Sequence, residues 1–271
     1  MSDDGVLTTS VTYDDGGIPL TGVLHWNERQ PAARPGILLV HGGAGLDDHA
    51  RQQARRYAGL GYPVFACDMF GDGVAGDREK VMACLTALRD DPALLARRGQ
   101  AGLDAMSRSP HSGEPFAAIG YCFGGMAVLA LARSGVPLAA AVSIHGSLAT
   151  GAPAQPGAVR VSVLVCHGAM DPHVPMDHVT AFADEMHRAR ARWQLIMYGG
   201  AQHGFTHQHA VPGAVPGVAY DPAADRGSFA AASRFLAEAV AGGAASDPSL
   251  YHGALRREQQ LRSDPPEGVR S

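Results

Sequence analysis

Ile119-Gly120-Tyr121-Cys122-Phe123-Gly124-Gly125 sets a cysteine between two glycines at the point where an apolar run gives way to a helical pattern. A strand that turns this sharply into a helix strains its central residue and brings neighbouring chains too close for side chains, so glycine is needed two residues to either side. The spacing is that of the G-x-S-x-G elbow with cysteine in the nucleophile's place. Phe116 to Tyr121 then reads as a strand and Cys122 to Arg133 as the helix it enters. At a helix start, unpaired N–H groups and the macrodipole favour an anion, so the thiol should titrate below its free value of about 8.5. A lone cysteine is more often a small buried residue; the flanking glycines and two later segments speak for a reactive one.

Upstream of the elbow, Val6 to Tyr13 and Ile18 to Trp26 alternate apolar and polar residues around Asp14-Asp15-Gly16-Gly17, which predicts an N-terminal β-hairpin. Gly36-Ile37-Leu38-Leu39-Val40-His41 is a short continuous apolar run, the pattern of a strand covered on both faces. Helices are expected at Leu46 to Leu60, Arg78 to Leu88, Pro92 to Ser107, Asp177 to Arg190 and Ala223 to Val240. Strands are expected at Pro63 to Asp68, Leu138 to His145, Val161 to His167 and Trp193 to Tyr198. This alternation argues for an α/β fold with a mainly parallel sheet flanked by helices. Thr150 to Val159, rich in Gly, Ala and Pro, reads as a loop. Residues 1–245 are expected to form a single domain, and 246–271 a polar, weakly ordered tail.

Composition bounds the rest. With 271 residues, 46% hydrophobic and 18% charged, the chain can bury the core of one sizeable domain. Its net charge of −4, with Lys80 the sole lysine, supplies no concentrated positive potential, so nucleic acid is not an expected partner. The acidic start Met1-Ser2-Asp3-Asp4-Gly5 lacks the features of a signal peptide and no apolar run reaches membrane-spanning length, which predicts a cytoplasmic protein with no membrane association. Cys67, Cys84, Cys122 and Cys166 are widely spaced and contain no C-x-x-C pair, so free thiols are expected.

Two segments could complete the chemistry of Cys122. Val163 to His167 is an apolar strand, followed by Gly168-Ala169-Met170-Asp171-Pro172, which delivers an aspartate near the strand's carboxyl end, where open α/β sheets form their sites. Asp171 can orient an imidazole and stabilise its charged form, although Asp before Pro is also a common turn pair. Tyr198-Gly199-Gly200-Ala201-Gln202-His203-Gly204-Phe205 then places His203 after the last strand, as a general base. Nucleophile, acid, histidine is the chain order that the elbow architecture uses. His41, His145 and His167 also fall at strand ends and read as packing or pocket-lining residues. His203, His207 and His209 lie close in sequence, but without an adjacent acidic ligand or an H-E-x-x-H helix no metal site is expected.

With these residues in view, the chain resembles the dienelactone hydrolase family, the carboxymethylenebutenolidases, over roughly Gly5 to Val240. Gly120 to Gly125, the Asp171 loop and Gly200 to Phe205 carry the likeness, supported by Gly61 to Gly73. The resemblance implies an α/β-hydrolase fold of about eight strands and a cysteine-nucleophile hydrolase of a small ester, lactone or thioester. It further implies an acyl-enzyme intermediate, no cofactor and a small-molecule acyl substrate. Cys122, Asp171 and His203 match the catalytic triad, and the main-chain N–H groups of Phe123 and Gly43 the oxyanion hole, each donor worth a few kcal/mol in the transition state.

The sequence departs from the family in two places. The glutamate that helps switch on the cysteine corresponds to Gly42, which leaves activation to His203 directly or to a contribution from His41. Of the two arginines that grip a substrate carboxylate, Arg78 matches one, or is a solvated helix charge, while the other position holds His207. A largely neutral histidine does not replace a bidentate clamp, so a dianionic dienelactone is a poor fit. His41, Arg78 and His207 are therefore the candidate substrate-binding residues. The same triad would also serve an acyltransferase, an isomerase or a carbon–carbon bond-cleaving enzyme, and the missing glutamate leaves room for a non-catalytic binding protein on this scaffold.

Overall fold

The computed structural model describes residues 5–30, 34–72, 74–211 and 213–241. The acidic start and the tail at 246–271 lie outside them. Strand β1 (Val6–Asp15) pairs antiparallel with β2 (Ile18–Asn27) through a two-residue turn at Gly16 and Gly17. Both turn residues have positive φ, 64° and 89°, the requirement of a primed hairpin turn. The remaining strands are β3 (Arg34–Val40), β4 (Val64–Cys67), β5 (Ser112–Tyr121), β6 (Ala140–Ile144), β7 (Ser162–Gly168) and β8 (Arg192–Tyr198). They form one eight-stranded sheet in the order β1-β2-β4-β3-β5-β6-β7-β8, parallel from β4 to β8 and antiparallel in the hairpin and its junction with β4. The expected mainly parallel sheet with an N-terminal hairpin is thus present.

Alternate residues of each central strand feed two cores, as the period of a pleated strand dictates. Leu38, Val40, Ala118, Val163 and Val165 pack on one face against α3 (Pro92–Ser107), α4 (Phe123–Arg133) and α5 (Met176–Arg188), with Leu103, Leu131 and Phe182 among the buried partners. Ile37, Leu39, Ile119, Val142 and Leu164 pack on the other against α1 (Asp48–Gly59) and α6 (Pro222–Ala241) through Tyr57, Phe235 and Leu236. Helix α2 (Arg78–Asp90) buries only Leu88 fully.

Most helix starts are closed by aspartate: Asp47 accepts from Ala50 N–H, Asp77 from Glu79 and Lys80, and Asp91 from Ala93 and Leu94 ahead of α3, where Pro92 opens the helix. Helix α4 has no such cap, because its N-cap position is Cys122 and the sulfur makes no capping bond. Strand β5 starts four residues earlier than the apolar pattern indicates. Ser112 and Gly113 pair with Arg34 and Pro35 before a register shift at Pro35 and Ile37, so main-chain pairing continues where apolar character has stopped.

A buried ion pair ties the hairpin to α3 and to the segment that follows β4. Arg98 of α3 donates from Nε to Asp15 at the end of β1 (2.6 Å) and from a terminal nitrogen to the Met69 carbonyl (2.7 Å), and both charged side chains are only 5% exposed.

Candidate active site

Cys122, Asp171 and His203 follow β5, β7 and β8, so the parallel strands deliver all three to the same carboxyl edge of the sheet. Cys122 sits at φ 54° and ψ −117°, a conformation strained for a residue with a side chain. Its two flanking glycines are sterically required. A Cβ at Gly120 would lie 1.9 Å from the Gly124 carbonyl oxygen, and one at Gly124 2.1 Å from the Val40 carbonyl oxygen. The elbow is held against β3 by these close approaches.

His203 Nε2 lies 3.1 Å from Cys122 Sγ, and its Nδ1 lies 2.7 Å from Asp171 Oδ2. The other Asp171 oxygen accepts the His173 N–H at 2.8 Å, which leaves Oδ2 for the imidazole. Burial alone would lower the His203 pKa; hydrogen bonds to Asp171 and Cys122 overcome it and raise the value to about 10. Burial would likewise raise the Cys122 thiol, but the hydrogen bond and charge of His203, with the main-chain N–H groups of Phe123 and Gly43, bring it below its ordinary value. Asp171 is lowered too, because its contacts with His203 outweigh its burial. The three shifts run in the directions that favour a negative sulfur, a positive imidazole and an ionised carboxylate. The Phe123 and Gly43 groups, from the start of α4 and the loop after β3, thus converge on the sulfur from two separate elements.

His41 departs from its expected place. It is fully buried, its Nδ1–H donates to the Gly42 carbonyl (2.7 Å) and its Nε2 accepts the Met69 N–H (3.1 Å). With both nitrogens on main-chain groups and Phe70 packed on its ring, it offers a ligand no atom and no route to Cys122. It buttresses the loop that carries Gly43 instead. Arg78 is exposed on the first turn of α2, two turns before Leu85, the side chain nearest Gly43.

His207 does reach the site. Its ring stacks on His49, with centroids 3.8 Å apart, and its Cε1 is 4.0 Å from where a Gly42 Cβ would stand, a point itself 3.8 Å from Cys122 Cβ. Gly42 therefore has ordinary contact space around it, and imidazole fills the neighbourhood. Burial lowers the pKa of His207, and burial with the neighbouring His207 takes His49 to about 3, so this wall is neutral near pH 7. His145, buried at φ 41°, accepts the Cys122 N–H through Nδ1 (3.1 Å) and contacts Thr206 Oγ1 through Nε2 (2.8 Å). Its expected packing role is therefore joined by a polar one. His49, Thr206 and His173 are not singled out by the sequence: His49 meets its partners only across long stretches of chain, while Thr206 and His173 lie three and two residues after His203 and Asp171 without a spacing rule of their own.

The loop after β8 folds back over His203, whose N–H donates to Gly217 O (2.9 Å) and whose carbonyl accepts from Ala219 (3.2 Å). Two surface recesses, of about 220 and 200 Å³, lie at the hairpin tip and beside Trp26, and neither includes a residue of this array. Among the described residues, no group of three or more His, Cys, Asp or Glu side chains could hold a metal ion, and no helix is long and apolar enough to cross a membrane.

The dienelactone hydrolase family profile matches residues 21–240. A solved structure named m3DLH is 38% identical with a TM-score of 0.82, covering 87% of this chain and 99% of its own. A dienelactone hydrolase-like promiscuous phosphotriesterase, P91, from metagenomic libraries is 38% identical with a TM-score of 0.80, covering 86% and 98%. A dienelactone hydrolase from Anabaena variabilis, at 23% identity and a TM-score of 0.61 over 86% and 98%, shares the fold. An uncharacterized protein of Caenorhabditis elegans is 38% identical over 71 residues, 26% of this chain and 45% of that relative's length.

Proposed function

We propose, from the premise that the chain belongs to the dienelactone hydrolase family, that it hydrolyses a small neutral ester, lactone or thioester through an acyl-enzyme on Cys122. The observation that carries this reading is the convergence on one sulfur of His203 Nε2, at 3.1 Å, and of the Phe123 and Gly43 N–H groups. The thiolate attacks the carbonyl carbon, and the oxyanion takes the place of the sulfur's charge before the two N–H groups. The His203 imidazolium gives its proton to the leaving group. The neutral imidazole then draws a proton from water as that water attacks the thioester, and the thiolate returns. Asp171 keeps the ring oriented throughout.

In this reading no carboxylate is needed at position 42, because the contact with His203 and the Phe123 and Gly43 N–H groups already favour charge on the sulfur. Neutrality of the substrate follows from the lining: His207 and His49 stand where a carboxylate-gripping cation would be needed, and Arg78 is exposed on α2. The same neutrality favours a second reading, in which neutral phosphotriesters also serve as electrophiles, the activity named for the 38% identical P91.

Turnover of a panel of uncharged esters, lactones, thioesters and an aryl phosphotriester, compared among wild type, Cys122→Ala and His203→Ala, tests the assignment. Both substitutions should remove activity by a factor on the order of 10⁴ or more. Unchanged rates in either variant would displace the triad. Product analysis in ¹⁸O-labelled water separates hydrolysis from acyl transfer, isomerisation or carbon–carbon cleavage. Ligand binding that survives Cys122→Ala without any detectable turnover in wild type would mark a binding protein.

A further inference from the structure

Cys122 is held from a second side, through its main-chain nitrogen. That N–H lies 3.0 Å from the Ile144 carbonyl and 3.1 Å from His145 Nδ1, and an amide N–H can only donate. His145 Nδ1 must then be unprotonated and its proton must sit on Nε2, 2.8 Å from Thr206 Oγ1. With Thr206 accepting there, its own hydroxyl proton is free to go to His49 Nε2, 3.0 Å away, where Gln53 Nε2 also points at 3.4 Å. The Cys122 N–H thus sets the tautomer of His145, and the Gln53 amide, whose Oε1 accepts from Arg56, favours an unprotonated His49 Nε2 that the Thr206 hydroxyl can meet. His145 and Thr206 are 0% and 1% exposed, so water does not compete for these bonds.

We infer that His145, Thr206 and His49 form a hydrogen-bonded strut whose work is to fix the distance between Cys122 Sγ and His203, with Thr206 as a positioning residue for the proposed reaction. Thr206 lies three residues beyond His203 on the same loop. The 203–206 segment therefore grips Cys122 twice, at the sulfur through the imidazole of His203 and at the backbone nitrogen through Thr206 and His145. The strut adds a second polar link between the elbow and the loop after β8, beside the apolar packing of Tyr121 with Ala201 and Phe205. Around the strut, the Tyr121 ring meets both His145 and His49, and the Arg56 charge acts on His49. His145 faces His203, His207 and His49, and burial first, then these neighbours, keeps it neutral; a charged His145 would lose its bond to the Cys122 N–H. The inference rests on the proposed pairing of Cys122 with His203.

The test is alkylation of Cys122 by iodoacetamide as a function of pH, with Cys122→Ala giving the background from the other thiols. Thr206→Val keeps the shape and removes the hydroxyl. It should slow alkylation at mildly acidic pH about tenfold and move the midpoint of the profile upward, and lower kcat with little change in KM. Thr206→Ser should recover most of this loss. A Thr206→Val profile that superimposes on wild type, or a Thr206→Ser variant as impaired as Thr206→Val, overturns the strut. Ring ¹⁵N spectra of the unsubstituted protein give a second reading that does not depend on a variant folding: His145 should carry its proton on Nε2 and His49 on Nδ1, and His145 protonated on Nδ1 would overturn the inference. Because alkylation needs no substrate, loss of the proposed hydrolase reading through an active Cys122→Ala enzyme remains a separate outcome.

Discussion

Cys122 and His203 change each other's titration in opposite directions, and this gives the proposed chemistry a recognisable pH profile. The thiol lies below its ordinary range and the imidazole at about 10. Activity should therefore persist on the acid side to below the usual thiol range, where the pair takes up a proton. It should fall on the alkaline side near pH 10, as His203 loses the proton a leaving group needs. A kcat/KM profile with its alkaline limb near pH 7 would contradict the pairing. The contribution of His203 to stability has the matching sign. Its raised folded value stabilises the protein fully below the unfolded value of about 6.5 and is lost as pH rises through about 10. Cys122 was legible in the sequence because glycines two residues to each side leave a local signature. His41 carried two readings, packing and substrate binding, for the converse reason. A histidine at a strand end looks the same in sequence whether it faces a ligand or, as here, holds Met69 N–H and the Gly42 carbonyl beneath the oxyanion loop. Thr206 and His145 are 61 residues apart, and no spacing rule joins them.

At the scale of elements, the elbow and the ordinary helix starts differ sharply in what they tolerate. Gly124→Ala would drive a Cβ to 2.1 Å from the Val40 carbonyl oxygen and 2.6 Å from that of His41, both main-chain atoms at the end of β3. The strand and the start of α4 must separate, so urea denaturation should show a loss on the order of 3 kcal/mol or more. Asp91→Ala removes only the side-chain acceptor for two exposed N–H groups at the start of α3 and should cost about 1 kcal/mol in the same measurement. Equal losses in the two variants would mean that the elbow yields more easily than its geometry indicates. Element order was readable because apolar runs and helical periods alternate from β3 to α6, broken only where α3 follows α2 and where a loop joins β6 to β7. Element ends were less so: β5 extends to Ser112 and β1 to Asp15 because main-chain ladders continue through polar residues that carry no periodic signal.

Across the whole molecule, the hairpin and the site are linked by a continuous set of buried bonds. Asp15 at the end of β1 holds Arg98 of α3; Arg98 holds the Met69 carbonyl; the Met69 N–H holds His41; and His41 holds the carbonyl of Gly42, next to the Gly43 donor. Asp15→Asn would leave the Arg98 guanidinium buried without its counter-charge, and unfolding measurements should show a loss of about 3–5 kcal/mol. Burial would raise the Asp15 pKa, but the hydrogen bonds and charges of Arg97 and Arg98 bring it below its ordinary 3.8. Its share of the stability is thus present above that value and disappears as pH falls through the depressed one. The wild-type protein should lose this acid-dependent component in Asp15→Asn, and an unchanged acid limb would show that the pair does not stabilise the fold. None of this path was visible in the sequence, since every step but the last, from His41 to its neighbour Gly42, joins residues tens of positions apart.

Gly120 and Gly124 leave no room for a side chain, whereas the loop after β8 that carries Thr206 and His207 also exposes Val211 and Val215 to solvent. The protein therefore separates its inheritance into two parts, an address for the sulfur that mutation cannot edit and a margin that it can. A library randomised over 119–125 should return almost nothing but parental sequence, while one over 208–211, short of the Gly217 that holds His203, should yield many folded members with altered preferences. New specificities on this scaffold should accordingly arise by drift along that margin, with the reacting atom standing still.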